Sequence, residues 1–501
     1  MRRRFELPLG AELVAGDVRF RLWAPRARQV SLRLDGSAEP IAMRAEPGGW
    51  FSLVTDRAGA GSRYKYVVDG ETYPDPASRF QPDGVHGASE VIDPSAYVWG
   101  DDAWRGRPWE EAIVYELHLG TFSESGDCAG AIGRLDELCD LGVTIVELMP
   151  VAAFPGSRNW GYDGVQWFAP AAPYGRPEDL KALVEACHAR GLAIMLDVVY
   201  NHFGPEGNYL YPITPDFFTD RHHTPWGAAI NYDGPNSRPV RNFAIANALY
   251  WLEEFHFDGL RLDAVHAIAD DSKPDIVTEI GETVRRRITD RPIHLVLEND
   301  RNEARRLGRD YTAQWNDDCH HALHVLVTGE APGYYADFAE RPAALLGRAL
   351  ATGFAFQGEP SPYRGGERRG EPSDALPATA FVSFLQNHDQ IGNTPFGIRI
   401  AERAPEPTVH AAVAVVLLSP QVPLLFMGEE WASSRPFTFF CDLSPPLDEA
   451  VREGRRREFA QYPEFADPAM RERIPDATDI ATFENARLDW TERGEGIHAQ
   501  W

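Results

Sequence analysis

The feature that most constrains this fold is a repeated alternation of apolar, strand-like segments with helical segments, which begins near residue 113. The segment 192–198 is almost continuously apolar, as expected of a parallel strand that is buried on both faces. Eight such segments, interleaved with helices, predict a (β/α)₈ barrel of the α/β class. The predicted strands are 113–117, 144–148, 192–198, 259–262, 293–297, 312–315, 380–385 and 424–427, and the clearest helices are 130–140, 178–190, 240–256 and 275–288.

The first 95 residues have a different pattern, in which apolar and polar residues alternate over short stretches. Stretches 18–23, 30–34, 50–54 and 63–68 are separated by turns such as Asp35-Gly36. This spacing is typical of an antiparallel β-sandwich. We therefore predict a sandwich domain over 1–95 and a barrel domain over 96–501, with a polar insertion at about 201–236.

Charge and cysteine usage narrow the possible partners. The net charge of −26 argues against nucleic acid, because a polyanion would be repelled. No stretch of about 18 apolar residues exists, so we expect no membrane span. The five cysteines form no CxxC motif, and the N-terminus has no apolar run after its basic residues. We expect a cytoplasmic protein without disulfides.

Catalytic residues of such barrels lie at the carboxyl ends of the strands, so the residues that follow each apolar run are the candidates. Asp263 follows the fourth strand, Glu298 follows the fifth, and Asp389 comes just after the seventh. Since Asp263 and Glu298 are one βα unit apart, their carboxylates should flank a single bond. Arg261 should share the face of Asp263, because it precedes it by two strand positions.

Paired carboxylates of this kind suit hydrolysis of a glycosidic bond. One must protonate the leaving oxygen and the other must act at the anomeric carbon. The acid has to stay protonated near neutral pH, which burial and neighbouring negative charge promote. Histidines at the same strand ends can donate hydrogen bonds to sugar hydroxyls.

Four segments at these strand ends, 197–202, 259–266, 298–300 and 386–389, resemble the four signature regions of the α-amylase superfamily of glycoside hydrolases. The resemblance implies that Asp263 is the nucleophile, Glu298 the general acid/base and Asp389 a stabiliser of the bound sugar ring. It also implies an aromatic platform and a lining for the sugar at the cleavage position. Those residues are Tyr162, His202, Arg261, His266 and His388.

Within the superfamily, the chain is most similar to the maltooligosyltrehalose trehalohydrolase family, which releases trehalose by cutting the neighbouring α-1,4 bond. The similar segments are 115–122, 147–151, 201–209, 315–324 and 426–431. The Asp-Asp-x-His-His run after the sixth strand discriminates best. Because trehalose is joined head to head, its second glucose needs its own polar wall, for which Asp317, Asp318 and His321 are the candidates.

Two alternatives remain open at this point. A glycogen branching enzyme would share the sandwich, the barrel and the triad, and a debranching enzyme is a weaker alternative of the same kind. An inactive carbohydrate-binding relative belongs to another class, and such proteins typically lose triad residues that are kept here. The expected partner is maltooligosyltrehalose or a related α-glucan.

We expect no cofactor and no structural metal, because the loop after the third strand is short compared with that of calcium-binding superfamily members. In the family, the segment after 488–490 continues into the eighth barrel helix and a small C-terminal β domain. This chain ends at Trp501. We therefore expect the last helix and that domain to be absent, leaving Val114 and Leu425 partly bare. The alternative is that another segment, the stretch 445–475, folds over the gap.

Overall fold

The computed structural model describes residues 1, 4–460, 465 and 467–501. Its N-terminal part is a pair of packed antiparallel sheets. One sheet contains Gly10–Val14, Asp17–Trp23, Arg44–Glu46 and Trp50–Thr55, and the other contains Val30–Leu34, Ile41–Ala42, Arg63–Val68, Glu71–Tyr73 and Ser89–Glu90. Alternate residues of the central strands, such as Phe20, Leu32 and Tyr66, fill the space between the sheets. The predicted β-sandwich is confirmed.

The second part is a closed barrel of eight parallel strands, as predicted. Its residues are apolar and buried almost throughout, because one face packs inside the barrel and the other packs on helices. The strands are β1 (Val114–Leu117), β2 (Ile145–Leu148), β3 (Ala193–Val198), β4 (Gly259–Leu262), β5 (His294–Leu297), β6 (Ala313–Trp315), β7 (Phe381–Phe384) and β8 (Val422–Phe426).

Helices cover most of the barrel's outer surface. Those between strands are Cys128–Ile132 and Leu135–Leu141 after β1, Pro177–Ala189 after β2, Ser237–Glu253 after β3, Ile276–Arg287 after β4, Asp317–Thr328 and Pro342–Thr352 after β6, and Glu406–Leu418 after β7. Helices Leu447–Phe459 and Ile480–Ala486 follow β8. Further short helices are Leu119–Phe122, Leu210–Ile213, His388–Gly392, Ile400–Arg403 and Pro468–Arg471.

One connection differs from the predicted alternation. Between β5 and β6 the described chain has only the 3₁₀ turn Ala304–Arg306. Asn302 and Gly308 on either side of it adopt positive φ, at 53° and 77°. Left-handed residues at this spacing leave no run long enough for an α-helix.

The polar insertion contains a hairpin, Phe218–Thr224 paired with Gly227–Ile230, which the sequence pattern did not indicate. Among the described residues, no helix combines the length and apolar character needed to cross a membrane. All five cysteines are free thiols.

The expected bare surface beside β1 and β8 is not observed. Val114 is 1% exposed and Leu425 is 8% exposed. The chain after residue 480 packs against this side, where the Leu488 N–H donates to the Thr121 carbonyl at 2.8 Å and the Trp490 indole donates to the Phe122 carbonyl at 2.7 Å. The alternative cover expected from 445–475 falls partly on residues outside the described part of the chain.

Candidate active site

Carboxylate side chains at the carboxyl ends of β3, β4 and β5 all contact one guanidinium. Arg261, fully buried on β4, donates from Nη1 to Asp197 Oδ2 at 2.6 Å and to Asp263 Oδ1 at 2.9 Å. Its Nη2 forms an ion pair with Glu298 Oε2, also at 2.9 Å. Because one rigid cation contacts carboxylates from three neighbouring strands, Asp263 and Glu298 are held facing the same point above the barrel.

The guanidinium is itself fixed by an aromatic ring. Trp315, on β6, lies beneath Arg261 with the guanidinium carbon 4.0 Å from the ring centroid. A cation over an indole face is stabilised by the ring quadrupole, more so where water is excluded. The ring therefore restricts movement of the Arg261 guanidinium, which keeps its contacts with all three carboxylates.

The residue after the nucleophile candidate has an unusual backbone. Ala264 has a φ of 40°, in the left-handed region that non-glycine residues rarely adopt. This conformation directs its N–H to Glu298 Oε2 at 2.8 Å. The strain is thus coupled to the orientation of the general acid/base candidate.

A second hydrogen-bonded chain closes the other side of the site. Tyr162 donates its hydroxyl proton to Asp197 Oδ2 at 2.6 Å and lies 2.8 Å from Nε2 of His388. On its other side, Nδ1 of His388 lies 2.5 Å from Glu116 Oε1. Asp389 Oδ1 is 3.5 Å from the same Nε2 atom. The site is therefore one continuous network from β1 to β7.

The two histidines that follow the third and fourth strands make separate contacts. His202 Nε2 is 3.0 Å from the Tyr162 carbonyl oxygen, and its ring stacks on Trp226 at 4.5 Å. His266 Nδ1 accepts a long hydrogen bond, 3.4 Å, from the Asp300 N–H. These contacts connect both rings to residues that neighbour the carboxylate cluster.

An open cavity of about 270 Å³ lies directly beside these groups. Two of the triad candidates, Glu298 and Asp389, contribute to its wall, as does His266. Asp317 and His321 face it from the helix after β6. The remaining wall is Asp300, Tyr334, Asp337, Tyr363, Arg364, Arg369, Gln390 and Asn393. A polar, aromatic-lined cavity of this kind is suited to a sugar ring.

Asp318 does not line that cavity. Its fully buried carboxylate accepts from Asn302 Nδ2 at 2.9 Å and from the Ala355 and Phe356 N–H groups at 2.8 and 3.0 Å. Arg369 Nη1 completes the set at 2.5 Å. Asp318 therefore ties the helix after β6 to the loop around residue 355, which differs from the product-side contact expected from the sequence.

The electrostatics of the carboxylate cluster favour at least one bound proton. Burial raises the pKa of Asp263 well above its ordinary value, and repulsion from Glu298 adds to this. Burial also raises the pKa of Asp389. For Glu298, burial is outweighed by the positive charge of Arg261 and by the Ala264 N–H, so its pKa is lowered. Protonation is thus more favourable at Asp263 than at Glu298, the reverse of what a nucleophile and a general acid require.

Glu116 and Asp197 were not among the predicted site residues, although both lie in the network. The signal for Asp197 was its place at the end of β3, within a segment that was singled out. Glu116 lies inside β1 and looks like an isolated polar residue in an apolar strand. The available signal was a charged residue within a buried strand, because a buried charge requires a polar partner.

An eight-stranded parallel barrel with clustered carboxylates at the ends of β4, β5 and β7 defines a glycoside hydrolase of the α-amylase type. The α-amylase catalytic domain family matches residues 79–217, and carbohydrate-binding module 48, the isoamylase N-terminal domain, matches residues 8–96.

Relatives over nearly the whole chain agree with this class. The malto-oligosyltrehalose trehalohydrolase of Deinococcus radiodurans is 44% identical and covers 98% of this chain and 80% of the relative. The enzyme of the same name from Arthrobacter ramosus is also 44% identical, over 96% and 84%. A solved structure from Salmonella typhimurium is 47% identical, with a TM-score of 0.95 over 99% of this chain and 84% of that one. The chain belongs to the malto-oligosyltrehalose trehalohydrolase family.

Proposed function

We propose that this protein is a retaining glycoside hydrolase that cleaves the α-1,4-glucosidic bond next to the terminal trehalose unit of maltooligosyltrehalose and releases trehalose. The observation that carries the catalytic part is the shared ion pairing of Asp263 and Glu298 to Arg261. Seven relatives of 38–44% identity carry the trehalohydrolase name, which supports the substrate.

In the proposed mechanism Asp263 attacks the anomeric carbon while Glu298 protonates the departing trehalose oxygen. Water, deprotonated by Glu298, then releases the glycosyl group from Asp263. Asp389 accepts hydrogen bonds from hydroxyls of the ring being transferred, and the neutral phenol of Tyr162 stays in contact beneath it.

The proton has to reach Glu298 before the bond breaks. A glucan that fills the cavity removes water from the Glu298 carboxyl group, which raises its pKa. As the pKa of Glu298 rises, Glu298 becomes the preferred site of the proton, and Asp263 is ionised when it attacks.

For the trehalose side we propose Asp317 and His321. The structure gives the Asp317 carboxylate no protein partner among the described residues, and burial together with the charge of Glu298 raises its pKa well above the ordinary value. The buried Nδ1 of His321 likewise has no partner there. Polar groups left open toward a cavity are available to sugar hydroxyls.

Two alternative functions have weaker support. A branching enzyme from Burkholderia thailandensis is 38% identical but matches 49% of this chain and 32% of its own length. An inactive relative is disfavoured because the three carboxylates, Arg261 and His388 are present and connected. A cytoplasmic location remains a prediction, and the free thiols are compatible with it.

The experiment that tests the function is product analysis after incubation with maltooligosyltrehalose and, separately, with amylose. We expect free trehalose from the first substrate. New branch points from amylose, or no product from either, would contradict the proposal. Asp263→Asn should abolish product while leaving the circular dichroism spectrum unchanged, and exposed Asp140→Asn is the matched control.

A further inference from the structure

The Glu116 carboxylate contacts His388 at two atoms, its backbone nitrogen and its ring Nδ1. Its carboxylate, 1% exposed inside the barrel, accepts from the His388 backbone N–H through Oε2 at 3.2 Å and contacts the ring Nδ1 through Oε1 at 2.5 Å. This pair joins β1 to the end of β7. It leaves the imidazole one orientation, with Nε2 toward the sugar site.

The hydrogen bonds around His388 also fix its protonation. The single proton of the Tyr162 hydroxyl goes to Asp197 Oδ2, an oxygen that also accepts from Arg261 at 2.6 Å. The hydroxyl must then accept from Nε2 of His388, which lies 2.8 Å away. Since Nδ1 faces a carboxylate, both ring nitrogens carry protons, which is the imidazolium form.

We propose that Glu116 is a positioning residue that keeps His388 as a fixed imidazolium, so that the sugar site retains a cation opposite the carboxylate cluster above neutral pH. The value of that cation for catalysis rests on the function proposed above. The protonation itself does not, because it follows from the contacts alone. A permanent positive charge would favour the ionised form of Asp389, against the burial that raises its pKa, and the ionised form accepts hydrogen bonds from sugar hydroxyls.

The balance of charges agrees with this. Burial would lower the pKa of His388, but the negative charges of Glu116 and Asp389 outweigh it and raise the pKa to about 9. Arg261 acts in the opposite direction. The titratable groups that face the ring from the surrounding elements are Glu116, His118, Glu147, Tyr162, Asp197, Arg261, Glu298 and Asp389.

Glu147 offers a matched control on the neighbouring strand. It pairs in register with Glu116, is 2% exposed, and has one buried oxygen without a partner in the described structure. Burial, with added repulsion from Glu116, raises its pKa well above the ordinary value. Burial thus favours the neutral form of Glu147, and replacing it by glutamine should change the charge near His388 less than the same replacement of Glu116 does.

The test is a ¹⁵N NMR titration of the histidine side chains in the full chain, with the His388 signal assigned by its loss in His388→Gln. In the wild type we expect a midpoint near pH 9. Glu116→Gln should shift it down toward 6.5 or lower, whereas Glu147→Gln should leave it in place. Glu116→Asp, which keeps the charge, should retain most of the upward shift and also covers the case in which Glu116→Gln does not fold.

A His388 midpoint that is the same in Glu116→Gln and wild type would overturn the proposal, as would an equal fall in Glu147→Gln. Activity gives a separate readout. Relative to wild type, kcat/KM of Glu116→Gln should fall more at pH 8, by more than about tenfold, than at pH 5.5, because a histidine of ordinary pKa is deprotonated at pH 8. If the titration behaves as expected but no trehalose is released by wild type, the proposed function fails and the role of Glu116 stands.

Discussion

Two neighbouring aspartates in the helix Asp317–Thr328 have different surroundings. Asp317 and Asp318 are adjacent, yet one borders the cavity and the other is fully enclosed by polar partners. The sequence could not distinguish them, because both lie in the first turn after β6, where a helical rotation of about 100° decides which faces inward.

This difference predicts different consequences of mutation. Asp318→Ala leaves Arg369 buried without its counter-ion and should cost about 3–5 kcal/mol in the free energy of unfolding. Asp317→Ala should leave stability unchanged or slightly higher, and should weaken transition-state binding of trehalose-ended substrates by about 1–3 kcal/mol. Chemical denaturation and kcat/KM on maltooligosyltrehalose and plain maltooligosaccharides measure both. If kcat/KM of Asp317→Ala falls equally on both substrates, Asp317 does not contact the trehalose unit.

At the scale of elements, the strand ends and the longer helices that connect them could be predicted, but two of the connecting segments could not. Continuous apolar runs marked β3 and β4 within one residue of their observed bounds, so the placement of Asp263 after β4 followed directly. The hairpin lies in a polar stretch, and the 3₁₀ turn after β5 follows from the positive φ of Asn302 and Gly308. Hydrophobic periodicity reports neither feature. Glu116 was not predicted as a site residue for a related reason. Its partner His388 is 272 residues away in the sequence, so no local pattern indicates their contact.

The close packing of β4 against its neighbouring strands requires glycine at position 259, where β4 begins. A Cβ atom there would lie 2.3 Å from the His294 carbonyl oxygen on β5 and 2.9 Å from Cγ of Met195 on β3. Because the first contact is with backbone, relief requires the strands to separate. Gly259→Ala should therefore destabilise the protein by about 1–3 kcal/mol and reduce activity through Asp263 and Glu298.

The matched control for this substitution is Gly347→Ala. Gly347 lies within the helix Pro342–Thr352, and its added Cβ would have no neighbour within 4 Å. Alanine should stabilise that helix by about 0.5–1 kcal/mol. Thermal unfolding of both variants measures the contrast, and equal melting temperatures would show that β4 tolerates the extra atom.

At the scale of the whole molecule, the sandwich and the barrel are joined through buried charges. Arg79 donates from Nη2 to Glu12 Oε1 at 2.6 Å and to the Phe5 carbonyl at 2.8 Å. Glu254, at the end of the helix after β3, lies 3.4 Å from the same atom, and Lys181 lies 3.6 Å from Glu254. The interface is therefore part of the folded core and is not a flexible tether.

Removing this cation should uncouple the two parts. Arg79→Ala leaves Glu12 and Glu254 buried with reduced compensation, and should cost about 3–5 kcal/mol. We expect calorimetry to show a lower or divided unfolding transition. Arg28→Ala, at an exposed pair with Asp69, is the control and should change stability by less than about 1 kcal/mol. An unchanged single transition in Arg79→Ala would mean that the apolar contacts alone join the two parts.

The central claim is that Asp263 and Glu298 carry out a double displacement at the bond next to trehalose. The most direct measurement is ¹H NMR of the products within the first minutes of reaction with maltooligosyltrehalose, before the new reducing end mutarotates. The account predicts free trehalose together with a maltooligosaccharide whose new reducing end is in the α configuration. A β-configured reducing end would show inversion and contradict the assigned roles of the two carboxylates, and an absence of free trehalose would contradict the proposed substrate.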